Sequence, residues 1–276
     1  MAWRVLTREQ LEKTKQHFAE HGYVMQWYAL ASEVILTTLG PEWWKKNFSP
    51  GHRPDEFLAA SDNSEDSRYD HQDRVTRLGD MLFALKECKG YDVFISSLKT
   101  RDLAPVFFEL WVANSLQKNG FMPEFVKQSG RKGEDYDLIA QKNGFQVSVE
   151  AKSRRAGVIL SEKTLRNTLE TARRQLPSAG PGMIFISIPN EWTMDPDVEA
   201  VIGTCITSFF RNSGRVNCVV LIWHQWLELN QGRASVQLVR EFANDNPRTL
   251  TPFVRIIEPL SVPAIMDPQH FKPSFW

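Results

Sequence analysis

The sequence predicts an α/β fold, a mixed central sheet flanked by helices, preceded by a helical N-terminal region. Three observations carry that expectation. Two short apolar runs, GMIFISIP (182–189) and VNCVVLIW (216–223), have the length and β-branched content of buried strands, and each follows a helix-period segment. Asn143-Gly144 stands between LIAQK and FQVSV, the residue pair a type I′ hairpin turn requires because both positions need positive φ. Residues 1–90, by contrast, hold helix-period segments interrupted by one polar stretch.

In order along the chain, residues 8–22 and 27–39 carry helical periodicity, and Gly40-Pro41 breaks it before WWKKNF. Residues 49–73 are polar and rich in turn formers, and are expected to be a loop or linker. RVTRLGDMLFALKEC resumes the helical period. The N-terminal region is therefore expected to be a helical accessory unit over 1–90, and 91–276 the α/β domain. In RDLAPVFFELWVANSLQKNG, Asp102 is a candidate N-cap, Pro105 falls in the first turn and Gly120 is a stop signal. FMPEFV then reads as a strand, the hairpin follows, KTLRNTLETARRQL (163–176) as a helix, and Asp195-Pro196 as the start of a helix to Phe210. ASVQLVREF and FVRII are strand-like.

Composition narrows the function classes. Of 276 residues 42% are hydrophobic and 24% charged, with 33 basic and 33 acidic side chains, so any affinity for polyanions must come from local patches. Cys88, Cys205 and Cys218 lack CxxC spacing and predict free thiols rather than disulfides or zinc. No apolar run is long enough to span a bilayer and the first residues lack a signal-peptide core, so a cytoplasmic protein without a membrane partner is expected. The histidines show no HxH or HExxH spacing, and phosphate-binding glycine motifs are absent.

The hairpin carries the chemistry. With Asn143-Gly144 at the turn, facing residues sum to 287, so Asp137 faces Glu150, and Asp135 faces Lys152 if the ladder reaches that far. Alternation places Ser148, Glu150 and Lys152 on one face and Val147, Val149 and Ala151 on the other. Facing carboxylates repel, so a positive group is expected between them: a divalent cation, or Lys152 alone. Glu109 adds a third acid on or beside the apolar stripe of its helix; a glutamate turned to water at the stripe's edge is the simpler alternative.

A helix bearing an acid, an Asp at a strand start and Glu-x-Lys on the hairpin partner resemble the PD-(D/E)XK, or restriction-endonuclease-like, superfamily over roughly residues 100–190, extendable to 223. Gln175, on the helix before the next strand, is similar to a glutamine often found there in that superfamily. Tyr136 stands where many members have proline, and Asp135 competes with Asp137 for the aspartate role. A second Glu-x-Lys, Glu87-Cys88-Lys89, has no facing aspartate.

The resemblance implies a restriction-endonuclease-like core and a metal-dependent nuclease acting on DNA. Asp137, Glu150 and the Ala151 carbonyl would bind Mg²⁺ or Mn²⁺, with Glu109 contributing directly or through water. Lys152 would assist the attacking water, and Asp135 and Gln175 would support these groups from behind. Arg154, Arg155, Lys132 and Arg173 are the candidate phosphate contacts. Residues 1–90 would serve target choice, a partner protein or homodimerisation. The alternative is a non-catalytic nucleic-acid-binding or protein-interaction module of the same fold.

Overall fold

The hairpin forms with the turn its sequence requires. In the computed structural model Asn143 has φ 51° and Gly144 φ 79°, and strand pairing runs from Lys142↔Phe145 to Leu138↔Val149. Every one of these pairs sums to the expected 287. The structure describes residues 7–48, 57–59, 65–131, 133–154, 157–229 and 232–250, with the side chains of 65–67, 226–229 and 232–236 excepted.

Around this hairpin (β2, Leu138–Lys142; β3, Phe145–Ser153) the described residues build a six-stranded mixed sheet. Its other strands are β1 (Met122–Phe125), β4 (Gly182–Ser187), β5 (Val216–Leu229) and β6 (Gly232–Ala243). Strand order follows the sequence, β1 to β6. Only the β3–β4 and β4–β5 pairs are parallel. Those two connections contain α7 (Glu162–Gln175), then the short α8 (Asn190–Thr193) and α9 (Val198–Arg211), as parallel neighbours require a crossover. Asp195-Pro196 precedes α9 by a turn instead of starting it: the Asp195 carboxylate accepts from the Asp197 amide at 2.9 Å, and the helix begins at Val198.

The α-helices that precede the sheet in the chain are α1 (Arg8–His17), α2 (Gly22–Leu39), α3 (Pro41–Phe48), α4 (Glu65–Ala84), α5 (Tyr91–Leu98) and α6 (Leu103–Lys118). The reading of 49–73 as linker is corrected in its last nine residues, which are the first turns of α4. Their polarity misleads because it is satisfied by i,i+4 partners within the helix and by neighbouring segments. Arg74 and Asp70 pair at 3.3 Å, Arg77 and Asp73 at 2.8 Å, and His71 bonds Tyr28 Oη and the Leu58 carbonyl at 3.0 and 2.6 Å. At the other end α4 stops at Ala84, so the second Glu-x-Lys lies in a turn, with Lys89 ion-paired to Glu124. FVRII, residues 132 and 155 and most of the remaining tail lie outside the described residues.

Two apolar layers enclose the sheet. On one face Val147, Val149, Ala151, Met183 and Phe185 join one continuous cluster with α2, α4, α5 and α6. On the other, Ile184, Ile186, Val219 and Leu221 meet α7 and α9 through Leu165, Leu169, Ile202 and Ile206. The first layer is close-fitting enough that Gly79 of α4 has no room for a methyl group: a Cβ there would lie 2.5 Å from the Ala31 Cα of α2. No helix among the described residues is long and apolar enough to cross a membrane.

Candidate active site

The sheet ladder stops one residue short of Asp137. Its amide donates to the Val149 carbonyl at 3.1 Å, and its carboxylate Oδ2 accepts from the Ala151 amide at 2.8 Å. The expected Asp137–Glu150 rung is thus replaced by a side-chain to backbone bond that fixes the Asp137 carboxylate against β3. Asp135 does not reach Lys152. Its Oδ1 accepts from the Ser129 and Gly130 amides at 2.6 and 2.9 Å, which makes it the organiser of the turn before β2. Of the two aspartates, only Asp137 is buried with the other acids.

Glu150 follows from the alternation of β3. With Val149 and Ala151 committed to the α6 face, Glu150 and Lys152 point toward α7. Glu150 is fully buried, at 0% exposure. The Lys152 ammonium pairs with its Oε1, and its Oε2 has no hydrogen-bond donor among the described residues. Lys152 also donates to Gln175 Oε1 at 2.5 Å, and Gln175 Nε2 donates to the Asp135 carbonyl at 3.1 Å. Gln175, the last residue of α7, therefore holds the lysine and clamps the turn before β2.

Glu109 is buried in α6, not turned to water, because it has a cation the sequence reading did not assign. Arg101 donates from Nη1 to Glu109 Oε2 at 2.9 Å and from Nη2 to Oε1. Arg101 is eight residues before Glu109, little more than two helical turns. An acid on a helix this apolar requires a cation, and Arg101 is the nearest upstream basic residue; that signal could have found it.

Electrostatically these groups form one cluster. Burial, then the charges of Glu150 and Glu109, raise the Asp137 pKa well above the usual carboxylate range, while the Ala151 amide and Lys152 oppose the rise. Burial raises Glu150 to about 7; Lys152 offsets part of this and Glu109 and Asp135 add to it. Burial alone would lower the Arg101 pKa, but its bonds to Glu109 and the charges of Glu109, Asp137 and Glu150 raise it. Three carboxylates thus share two cations in a dry environment, and at neutral pH the site favours holding a proton or gaining another positive charge.

The donor set tests the metal expectation directly. Among the described residues no three Asp, Glu, His or Cys side chains are gathered as a cation ligand set. Glu109 has both oxygens on Arg101. The remaining pair, Asp137 and Glu150, offers hard oxygen donors, one of them without a donor partner, which fits a Mg²⁺-class ion completed by water. The Ala151 amide is engaged by Asp137, and its backbone lies in the ladder opposite Phe185.

Of the four expected phosphate contacts, the two among the described residues have partners within the protein. Arg154 donates to Thr168 Oγ1 of α7, and Arg173 is held by Glu170 at 2.5 Å and the Asn212 carbonyl at 2.9 Å. Lys132 and Arg155 lie outside the described residues.

No protein-family model matches the chain, and no curated protein matches it. Among solved structures, SfsA of Pyrococcus furiosus in complex with Ca²⁺ is similar over 47% of this chain and 59% of its own length, at 16% identity and a TM-score of 0.22. A likeness that faint bears on neither the chemistry nor the partners of this chain.

Proposed function

We propose that the protein is a metal-dependent nuclease of the PD-(D/E)XK type, hydrolysing phosphodiester bonds in DNA at the Asp137–Glu150–Lys152 cluster. The observation that carries the reading is the buried Glu150 carboxylate, one oxygen without a donor, beside Asp137 and a lysine held in place by Gln175. Burying such a group is costly unless a positive charge completes it. Asp137 and Glu150 would hold a Mg²⁺ or Mn²⁺ ion, which when bound supplies electrostatic stabilisation of the charge developing on the phosphate.

The chain's own groups do the rest. The Ala151 N–H orients Asp137, and Glu150 sheds the proton that burial lets it keep near pH 7. Lys152 has a side chain 26% exposed, so its ammonium is both anchored and reachable. It would orient the attacking water and neutralise the phosphate oxygens.

A second reading rests on the pairing of the same groups. Arg101 satisfies Glu109 and Lys152 satisfies one oxygen of Glu150, an arrangement that also suits a non-catalytic nucleic-acid-binding module. Incubation with supercoiled plasmid, linear duplex and single-stranded DNA and RNA, in Mg²⁺, Mn²⁺ or EDTA, separates the two. Cutting that needs the cation and disappears in Glu150→Ala and Lys152→Ala establishes the nuclease. Binding without cutting by a folded protein leaves the module.

A further inference from the structure

The two parallel strand pairs end side by side, and at their carboxyl ends the sheet does not meet the helices above it. Ser153 of β3, Ser187 of β4, and Ile222 and His224 of β5 form the floor of a cavity of about 170 Å³, with α4 and α6 as its roof. The space outside the carboxyl ends of parallel strands is where open α/β sheets place ligands. This cavity lies on the α6 face of the sheet, whereas Glu150 and Lys152 point to the α7 face. The two sites share β3 and α6 without sharing a side chain.

Its walls are aromatic. Phe57 and Phe107 meet with ring centroids 4.9 Å apart, and Phe108 and Trp111 stack at 5.9 Å with planes 6° apart. The charges at its rim cancel. Asp73 accepts twice from Arg77 Nε, at 2.8 and 3.0 Å, and Asp70 pairs with Arg74, whose guanidinium also lies 5.0 Å over the Phe57 ring. Burial keeps His224 below its ordinary pKa, so its ring adds no charge to the cavity. The Ser153 and Ser187 hydroxyls, level with one another in the β3–β4 ladder, make no hydrogen bond among the described residues.

These features select a ligand. A free phosphate would need uncompensated cations, and Arg74 and Arg77 are already neutralised. An aliphatic chain would bury the serines and the charged pairs at a cost. The volume is well below the roughly 300 Å³ of a drug-sized site, so it suits one ring system. A flat, neutral heterocycle with donors and acceptors on its edge satisfies the stacking walls and the polar floor together. We propose that this cavity takes a single nucleobase, its faces between the aromatic walls and its edge on Ser153 and Ser187. In the nuclease reading, on which this identification of its source rests, the base is turned out of the strand being cut.

The test is titration of the full chain with deoxyadenosine, deoxyguanosine, deoxycytidine and thymidine in EDTA, read by tryptophan fluorescence and calorimetry. The expected result is saturable binding of at least one nucleoside at millimolar concentration or below. Ser187→Ala is expected to weaken it roughly fivefold, the loss of about one hydrogen bond, and Ala104→Phe, which fills the cavity, to abolish it. Glu150→Ala is expected to leave it unchanged. A short single-stranded oligonucleotide forms the second arm: weaker binding in Ala104→Phe assigns the cavity to a base of the strand, and indifference assigns it to a free nucleoside. Absence of binding by every nucleoside to folded wild-type protein overturns the proposal, even if DNA is cut. Nucleoside binding without cleavage keeps the cavity assignment and removes the nuclease reading.

Discussion

Arg101 reaches across to Glu109 with both terminal guanidinium nitrogens, and this pair completes the charge cluster that the hairpin begins. It keeps Glu109 from adding an uncompensated charge beside Asp137 and Glu150. Glu109 has a side chain only 7% exposed, and removing one member of a buried pair strands the other. Arg101→Ala is therefore expected to destabilise the protein by about 3 kcal/mol or more in urea unfolding with EDTA present. A loss below about 1 kcal/mol would mean that the pair is a surface contact in solution.

The same electrostatics predict an unusual pH dependence. Glu150 moves from 4.5 to about 7 on folding, so the folded chain binds its proton more tightly than the unfolded chain. Its contribution is fully present below pH 4.5 and is lost as the pH rises through about 7. The size is about 3 kcal/mol for this group, and Asp137, raised by burial and by the Glu150 charge, acts in the same direction. Metal-free wild type is expected to lose stability between pH 5 and 8, and Glu150→Gln to flatten that decline. Equal slopes in the two proteins would show that Glu150 is ionised at both ends.

Gln175 is expected to act through Lys152. Gln175→Ala removes the acceptor at 2.5 Å and the bond to the Asp135 carbonyl. In the nuclease reading it lowers kcat by roughly 10–100-fold with KM little changed. Gln175→Glu keeps the acceptor for Lys152 and is expected to recover part of the rate. A change in KM alone would make Gln175 a substrate contact instead.

The helical layer offers an independent check of the fold. Gly79→Ala improves helix propensity but places a methyl group against the Ala31 backbone, with 2.5 Å to Cα and 2.8 Å to the carbonyl oxygen. Overpacking is expected to outweigh propensity and cost about 1–3 kcal/mol. A stabilised variant would mean that α2 and α4 do not pack this closely.

How far the sequence reveals all this depends on the range of the interactions. The hairpin was legible because its register follows from two adjacent residues, and β4, β5 and α7 because burial leaves a local period. The helical start of α4 was hidden: its charges are satisfied by i,i+4 pairs and by Tyr28 on another helix, which look like solvated loop residues in sequence. Asp135 and Asp137 could not be separated by pattern, since the difference is a turn that closes on Ser129 and Gly130. The cavity beneath α4 and α6 depends on contacts between elements distant in the chain, such as Trp111 with Gln237. No local pattern records those.

The central claim is that Asp137 and Glu150 form a site for a divalent cation, and calorimetric titration with Mn²⁺ at pH 6.5 tests it most directly. The account predicts one ion per chain, proton release on binding because Glu150 must ionise, and loss of binding in Glu150→Ala. Absence of Mn²⁺ binding to folded wild type, or binding that survives Glu150→Ala unchanged, would contradict it.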